Sequence, residues 1–361
     1  MRISASPISL DLLLRGQLQF LNNYYEVIGV ASPNKEIHKK ISEREGVRMV
    51  ELKIERKISL FKDLKSLINL YILFRKERPY IVHSLTPKAG LLSMLAAWAA
   101  RVPVRIHTFT GLIFPWKRGY ICRLLKLMDR LTCMSATYII PEGEGVKKEL
   151  IKSNITSKPL NVLGNGNING VDLEYFNPIP KSSNDDITRF IFIGRIVRDK
   201  GIEDLQKAFE RLDNAQLILV GPFEQDLDPL NDSCYKWLKS GKHVMYVGFK
   251  DDIRLYLANA DVFVFPSHRE GFPNTPLQAG AMGLPSIVTN ICGCNEIIID
   301  GVTGLLVEPH NPDQLYKAMK SLAENPELRK KMGMNARNCI VERFSQQRVW
   351  NALLQFYHNV S

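Results

Sequence analysis

Residues Ala260–Gln278 read ADVFVFPSHREGFPNTPLQ, and the order of residue types along them decides the fold. Val262–Phe265 is a short β-branched and aromatic run, the pattern of a strand buried on both faces. The run stops at Pro266, an acid follows at Glu270, and Asn274, Thr275 and Pro276 open a helix. Asn or Thr ahead of Pro is a helix-start signal, because Pro is tolerated at the first helical position. Glu270 therefore falls in a loop at the carboxyl end of a strand, beside a helix N-terminus. In open α/β sheets ligands bind in that crevice, and a helix N-terminus favours phosphate. An acid that can hold hydroxyls beside a phosphate site suits a nucleotide-sugar.

The same alternation of short apolar runs and helical patterns extends through all 361 residues. Strands are expected at Ile3–Ala5, Val27–Ala31, Val47–Leu52, Ile81–His83, Val104–Thr108 and Thr137–Ile140. A second set is expected at Phe190–Ile193, Gln216–Val220, Val244–Val247, Val262–Phe265, Ser286–Thr289 and Leu305–Val307. Strand–helix alternation predicts parallel sheets covered on both faces. The expected fold class is α/β, with two doubly wound Rossmann-like domains and a cleft between them. Asn177–Asp186 (NPIPKSSNDD) has the composition of a linker. It divides a first domain at 1–178 from a second at 187–342, with 343–361 a C-terminal helix free to return to the first.

Composition narrows the class. Hydrophobic residues make up 45% and charged residues 24%, which excludes a disordered chain. No leading segment has a signal-peptide layout, and the most apolar stretch, Ala89–Ala100, is shorter than the roughly 20 residues that span a bilayer. The six cysteines lack disulfide-framework spacing, and Cys292-Gly293-Cys294 lacks a second ligand pair for zinc. Reduced thiols and a cytoplasmic location are the expectation. Charge is uneven: residues 1–180 carry 27 Lys+Arg against 15 Asp+Glu, whereas residues 181–361 carry 21 against 22. A basic half implies an anionic partner. Lys53–Arg78 and Phe114–Arg130 mix Leu, Ile and Phe at helical spacing with Lys and Arg, and Trp116 and Tyr120 open the second. Basic amphipathic helices with such aromatics suit an anionic membrane surface. No nucleic-acid motif accompanies the charge, so nucleic acid is not expected as a partner.

Phe190–Gly201 (FIFIGRIVRDKG) runs from a strand into a loop with Gly194, Arg195, Arg198 and Lys200. Glycine allows close approach of backbone to ligand, while Arg and Lys supply charge for a diphosphate. Gly164–Asp172 (GNGNINGVD) contains no GxGxxG opening a helix, so it announces positive-φ turns rather than a nicotinamide site. His83 and His107 end expected strands of the first domain, with Lys88 and the Glu142–Glu144 segment nearby. Strand ends face the ligand crevice, although a solitary histidine is more often packed than catalytic.

On these residues the chain resembles a GT-B-fold retaining glycosyltransferase of family 4, in the branch that builds capsular and O-antigen polysaccharides. The segments that carry the resemblance include PISLDLLLRGQLQFL, HSLTPKAGLL, VRIHTFTGL, IGRIVRDKG, FPSHREGFPNTPLQAGAMGLP and DGVTGLLVEP, which cover nearly the whole chain. The resemblance implies a UDP- or GDP-sugar donor held by the second domain and an acceptor received by the first. It implies no cofactor and no obligatory metal. Arg195 and Lys200 match the pair that grips the donor diphosphate, and Glu270 matches the first acid of the Glu-x7-Glu signature. The second acid is Gln278 here, which loses charge assistance to ribose hydroxyls. Gly194, Gly271, Phe272, Asn274 and Thr275 complete the expected donor site. The acceptor side is expected at His83, Lys88 and Thr110, where Thr110 stands in the place of a histidine that many relatives have. His107, three residues earlier, is the remaining candidate base.

The expectation is thus a hexosyltransferase-type enzyme, peripheral on the inner face of the cytoplasmic membrane. It would move a sugar, from a UDP-sugar in the first instance, onto an undecaprenyl-diphosphate-linked saccharide. Two alternatives stay open at this point. One is a non-catalytic homologue that binds nucleotide-sugar or scaffolds a polysaccharide complex. The other is a GT-B nucleotide-sugar epimerase.

Overall fold

A computed structural model describes residues 1–55, 59–181, 186–224, 228–240 and 243–360. The chain forms two compact units, Met1–Asn169 with Gln347–Ser361, and Gly170–Gln346. The first contains six strands: β1 (Arg2–Ile3), β2 (Ile28–Ala31), β3 (Arg48–Glu51), β4 (Ile81–Leu85), β5 (Val104–Phe109) and β6 (Tyr138–Pro141). All pair in parallel, in the order β3-β2-β1-β4-β5-β6. The second contains β7 (Thr188–Ile193), β8 (Ala215–Val220), β9 (Val244–Tyr246), β10 (Val262–Phe265), β11 (Ser286–Thr289) and β12 (Gly304–Val307). These are also parallel, in the order β12-β11-β10-β7-β8-β9.

The two sheets share one topology. In each, the strand order reverses between the unit's first and fourth strands, at β1/β4 and at β7/β10. Such a switch point is where a doubly wound sheet opens a crevice for ligands. Parallel sheets are covered on both faces, and the strands show it: all four residues of β10 and of β11 are buried. Phe192 and Phe265 stack across β7 and β10 with centroids 5.7 Å apart.

The division between units differs from the expected linker. It falls between Asn169 and Gly170, and again after Gln346. The Pro-rich segment is docked on the second unit instead. Lys181 pairs with Asp261 at 2.7 Å, and the Phe176 carbonyl accepts from Arg337 at 2.7 Å. Residues 182–185 of that segment lie outside the described residues. The crossings are marked by Gly170 (φ +69°), where a Cβ would sit 2.7 Å from the Phe344 carbonyl oxygen. Around it the Val171 amide donates to Phe344 O at 2.8 Å, and the Gln346 amide donates to Val171 O at 3.0 Å. The GNGNINGVD segment does form positive-φ turns, at Gly164, Gly166, Asn167 and Gly170.

The last helix, Gln346–Val360, places Tyr357 within the first unit. Arg2 Nη1 donates to the Tyr357 hydroxyl at 2.8 Å, and Arg2 Nη2 donates to Gln17 Oε1 at 2.8 Å. His83 lies in the middle of β4, not at its end, and is buried. Its Nδ1 meets Arg2 at 2.5 Å and Tyr357 at 2.6 Å, so Nε2 carries the proton and donates to Thr108 Oγ1 at 2.7 Å. The expected acceptor-side role of His83 is therefore corrected: it is a packed residue whose two ring nitrogens are already engaged.

Candidate active site

The loops after β7 and β10 leave the second sheet at its switch point, and glycine lets them touch. Gly194 follows β7, and its amide donates to Val220 O at 2.9 Å. Ile196 bridges to Phe223, which leaves Arg195 half-buried at the edge with Nη1 3.0 Å from Glu224 Oε2. A 3-10 turn at Arg198–Lys200 then ends at Gly201 (φ +71°). A Cβ on Gly201 would stand 2.0 Å from the Pro266 carbonyl oxygen, so no other residue fits without moving one loop. Gly201→Ala is expected to cost roughly 3 kcal/mol of stability, combining positive-φ strain with that clash. A thermal midpoint equal to that of the parent would refute this account of the contact.

Asp199 locks the same junction. Its carbonyl accepts from the His268 amide at 2.8 Å and from the Ser267 hydroxyl at 3.3 Å. Its carboxylate accepts from Arg269 at 2.6 Å. This brings Lys200 and Glu270 into an ion pair through Nζ and Oε1, with side chains only 11% and 12% exposed. The Lys200 ammonium also lies 5.6 Å from the centroid of the Phe265 ring. Two residues singled out for one ligand are thus held against each other at the strand ends. On the far side, Gly293 (φ +78°) fits because its missing Cβ would meet Gly271 O at 2.1 Å.

The helix that follows runs Asn274–Ala281 with Pro273 as its N-cap. Pro276 is its third residue rather than its first, which corrects the expected start. Positions one to three all leave their N–H groups without an intrahelical partner, so Pro is equally tolerated at the third. Asn274, Thr275 and Gln278 are half-buried on the first turns. Phe272 is corrected from the donor site to the core: it is 5% exposed, with its ring 5.7 Å from that of Phe344.

The first-unit candidates fare differently. His107 lies within β5, is 1% exposed, and accepts or donates at Nδ1 to Ser84 Oγ at 2.9 Å. Its ring fills the space beside Gly90, where a Cβ would come within 2.2 Å of it, and meets Phe109 edge-on at 4.5 Å. His107 is therefore corrected from candidate base to core residue. Lys88 pairs with Asp63 at 2.6 Å and is 9% exposed, so its charge is already matched. Glu142 is buried, its amide on Phe109 O at 3.1 Å, whereas Glu144 pairs with Lys147 on the surface at 3.1 Å. Thr110 follows β5 directly and is half-buried.

These burials set a pH dependence. Burial pulls His107 down to about 3, and burial with the Arg2 charge pulls His83 well below the usual histidine value. Burial pushes Asp129 up to about 7. As pH falls below about 6.5, the unfolded chain takes up two histidine protons that the folded chain refuses. Between pH 7 and 4 the folded chain instead holds one Asp129 proton that the unfolded chain releases. Burial also pulls the Met1 amine down to about 5, so the unfolded state is ahead by roughly one and a half protons and stability falls on acidification by about 2 kcal/mol per pH unit over roughly pH 6 to 4. Urea midpoints that are flat or rising toward acid pH would contradict this.

Sequence reasoning missed three residues beside the site. His268, two positions before Glu270, places Nε2 2.8 Å from Asp204 Oδ2, and its ring centroid lies 3.7 Å from that of His310. A histidine in each of two strand-end loops is the signal that could have found them.

Comparison with known proteins decides the family. Residues 176–339 match the family model of glycosyl transferases group 1, and residues 25–166 match that of the glycosyl transferase 4-like domain. The capsular polysaccharide biosynthesis glycosyltransferase CapM of Staphylococcus aureus is 34% identical over 360 residues, covering 96% of this chain and 93% of that one. The chain belongs to the group 1 glycosyl transferases. A UDP-Gal:alpha-D-GlcNAc-diphosphoundecaprenol alpha-1,3-galactosyltransferase of Escherichia coli is 32% identical over 80% of this chain and 78% of its own. The structure of Anabaena HepE in complex with UDP-glucose superposes with a TM-score of 0.81 at 17% identity, covering 99% of this chain and 98% of that one. That likeness establishes the GT-B fold of this glycosyl transferase. Arg195 and the Lys200–Glu270 pair all lie inside the group 1 match.

Proposed function

We propose that this glycosyltransferase moves a sugar from a UDP-sugar onto an undecaprenyl-diphosphate-linked saccharide, with retention at the anomeric carbon and no obligatory metal ion. The observation that carries it is the Lys200–Glu270 pair at the β7/β10 switch point. A UDP-Gal donor and a diphosphoundecaprenol acceptor in the name of the Escherichia coli relative support the same choice. As the sugar–diphosphate bond breaks, negative charge grows on the leaving oxygen. Lys200 and Arg195 stabilise it, the electrostatic effect that is usually largest in catalysis. Glu270 accepts from sugar hydroxyls and orients the ring, and the amides of Asn274 and Thr275 favour the phosphates. With His83 and His107 buried and neutral, the acceptor hydroxyl passes its proton to the departing diphosphate oxygen as the new bond to carbon forms.

The first unit supports a peripheral seat on the inner face of the cytoplasmic membrane. Helices Leu60–Glu77, Pro87–Ala99 and Gly119–Ser135 pack side by side. On the first, Ser66, Leu70 and Phe74 face inward, while Phe61, Leu64, Ile68 and Ile72 form an exposed apolar stripe. Trp98, Trp116 and Tyr120 are exposed as well. None of the described helices is long and apolar enough to cross a membrane. Residues 56–58 of the basic Lys53–Arg78 segment lie outside the described residues.

A thermal-shift panel of UDP- and GDP-sugars tests the donor. One UDP-sugar at about 100 times its dissociation constant is expected to add about 2.7 kcal/mol of stability. A shift with a GDP-sugar alone would replace the nucleotide. A folded chain that responds to no member of the panel would overturn the donor site.

A further inference from the structure

We propose that Asp204, His268 and His310 form a site for one divalent transition-metal ion of the zinc class, outside the sugar-transfer machinery. One ligand atom from each of the three lies within 4.8 Å of the others. They come from separate elements: Asp204 from the helix Ile202–Phe209, His268 from the loop after β10, and His310 from the loop after β12. Two imidazoles and one carboxylate are a donor set that zinc and its neighbours favour, whereas calcium and magnesium call for oxygen ligands alone.

The surroundings are built for it. His268 and Asp204 are only 15% and 13% exposed, and their 2.8 Å contact already joins an imidazole nitrogen to a carboxylate oxygen. An ion would take the place of the proton between them. The His268 backbone is fixed by its amide bond to Asp199 O at 2.8 Å. His310 is exposed and holds a left-handed backbone (φ +59°), a conformation that L side chains seldom take. Its ring lies beside that of His268, with centroids 3.7 Å apart. Bonds of about 2.0–2.1 Å on a tetrahedral ion set its ligand atoms about 3.3 Å apart, so atoms within 4.8 Å of one another close by at most about 1.5 Å, a movement open to the exposed His310 ring. The fourth position stays open to water, as in three-ligand zinc sites.

Position gives the ion a role. His268 stands two residues before Glu270, and Asp204 four residues after Lys200. A bound ion clips the loop that carries Glu270 to the helix that follows Lys200. It touches neither side chain of that pair, so it acts as a structural clasp.

The test uses the full-length, untagged, metal-stripped chain and needs no turnover. Co2+ is titrated as a spectroscopic probe, Zn2+ is then competed against it, and bound metal is counted by equilibrium dialysis. One ion per chain is expected, with affinity lowered about tenfold or more in His310→Ala and in His268→Ala. His310 is exposed, so its variant keeps the fold, and its unchanged thermal midpoint without metal confirms that. A Cys292→Ser/Cys294→Ser variant separates thiol binding from this site. Loss of metal there with retention in His310→Ala would overturn the proposal, as would absence of stoichiometric binding in the parent. Donor-dependent thermal shifts measured on the same samples report separately on the nucleotide-sugar site.

Discussion

Lys200→Ala is expected to lower kcat by about 10²–10³, the range seen when one preorganised donor to a developing oxyanion is removed. The same change leaves Glu270, 12% exposed, without its cation. Breaking one side of a buried ion pair costs about 3–5 kcal/mol, so activity and stability fall together in the single variant. A second variant separates them. Lys200→Met with Glu270→Gln removes both charges, restores much of the stability and leaves turnover low. The readouts are initial rates at saturating donor and urea midpoints of both variants. Unchanged kcat in the single variant would remove Lys200 from the transfer step. Recovered turnover in the double variant would make the pair purely structural.

Exchanging Lys62, Lys65, Arg75 and Lys76 for Gln is expected to weaken binding to anionic vesicles by about 10³-fold. Each basic residue near such a surface contributes about 1 kcal/mol, and all four lie on the helix Leu60–Glu77 that presents the apolar stripe. Phe61 is 91% exposed, so Phe61→Gln should lower binding further while leaving the core intact. Raising salt should weaken the parent in the same direction, because the Debye length shrinks from about 10 Å at 0.1 M to 3 Å at 1 M. Vesicle binding that ignores both salt and the four exchanges would end the electrostatic account. Helices 87–99 and 119–135 would then be the remaining contact.

The architecture was legible because buried parallel strands are written as apolar runs, and each of the twelve strands overlaps an expected run. The donor side was legible for a related reason. Strand, loop and helix start fall within a few residues of one another at Gly194–Lys200 and again at Glu270–Asn274, so local order places each at a strand's carboxyl end, and the pairing of β7 with β10 brings the two together. The histidines of the first unit were misplaced by two residues of strand. β4 continues to Leu85 and β5 to Phe109, which turns His83 and His107 from strand ends into strand interiors. The pairing of His107 with Gly90 depends on a helix packing over a strand, and no local pattern records it. The unit boundary was hidden because a Pro-rich segment looks the same whether it is free or pinned by Lys181 and Phe176. Asp204, His268 and His310 lie on three elements more than forty residues apart, and only folding assembles them.

The placement of Tyr357 sets an order of assembly. Arg2 and His83 are made early, yet the hydroxyl that completes their buried network belongs to the helix Gln346–Val360. During synthesis the second unit, Gly170–Gln346, is complete before that helix emerges. The half made first is therefore finished last, and until then Arg2 lacks the Tyr357 hydroxyl among its partners. A fragment ending at Asn169 inherits the same gap, and supplying residues 347–361 closes it.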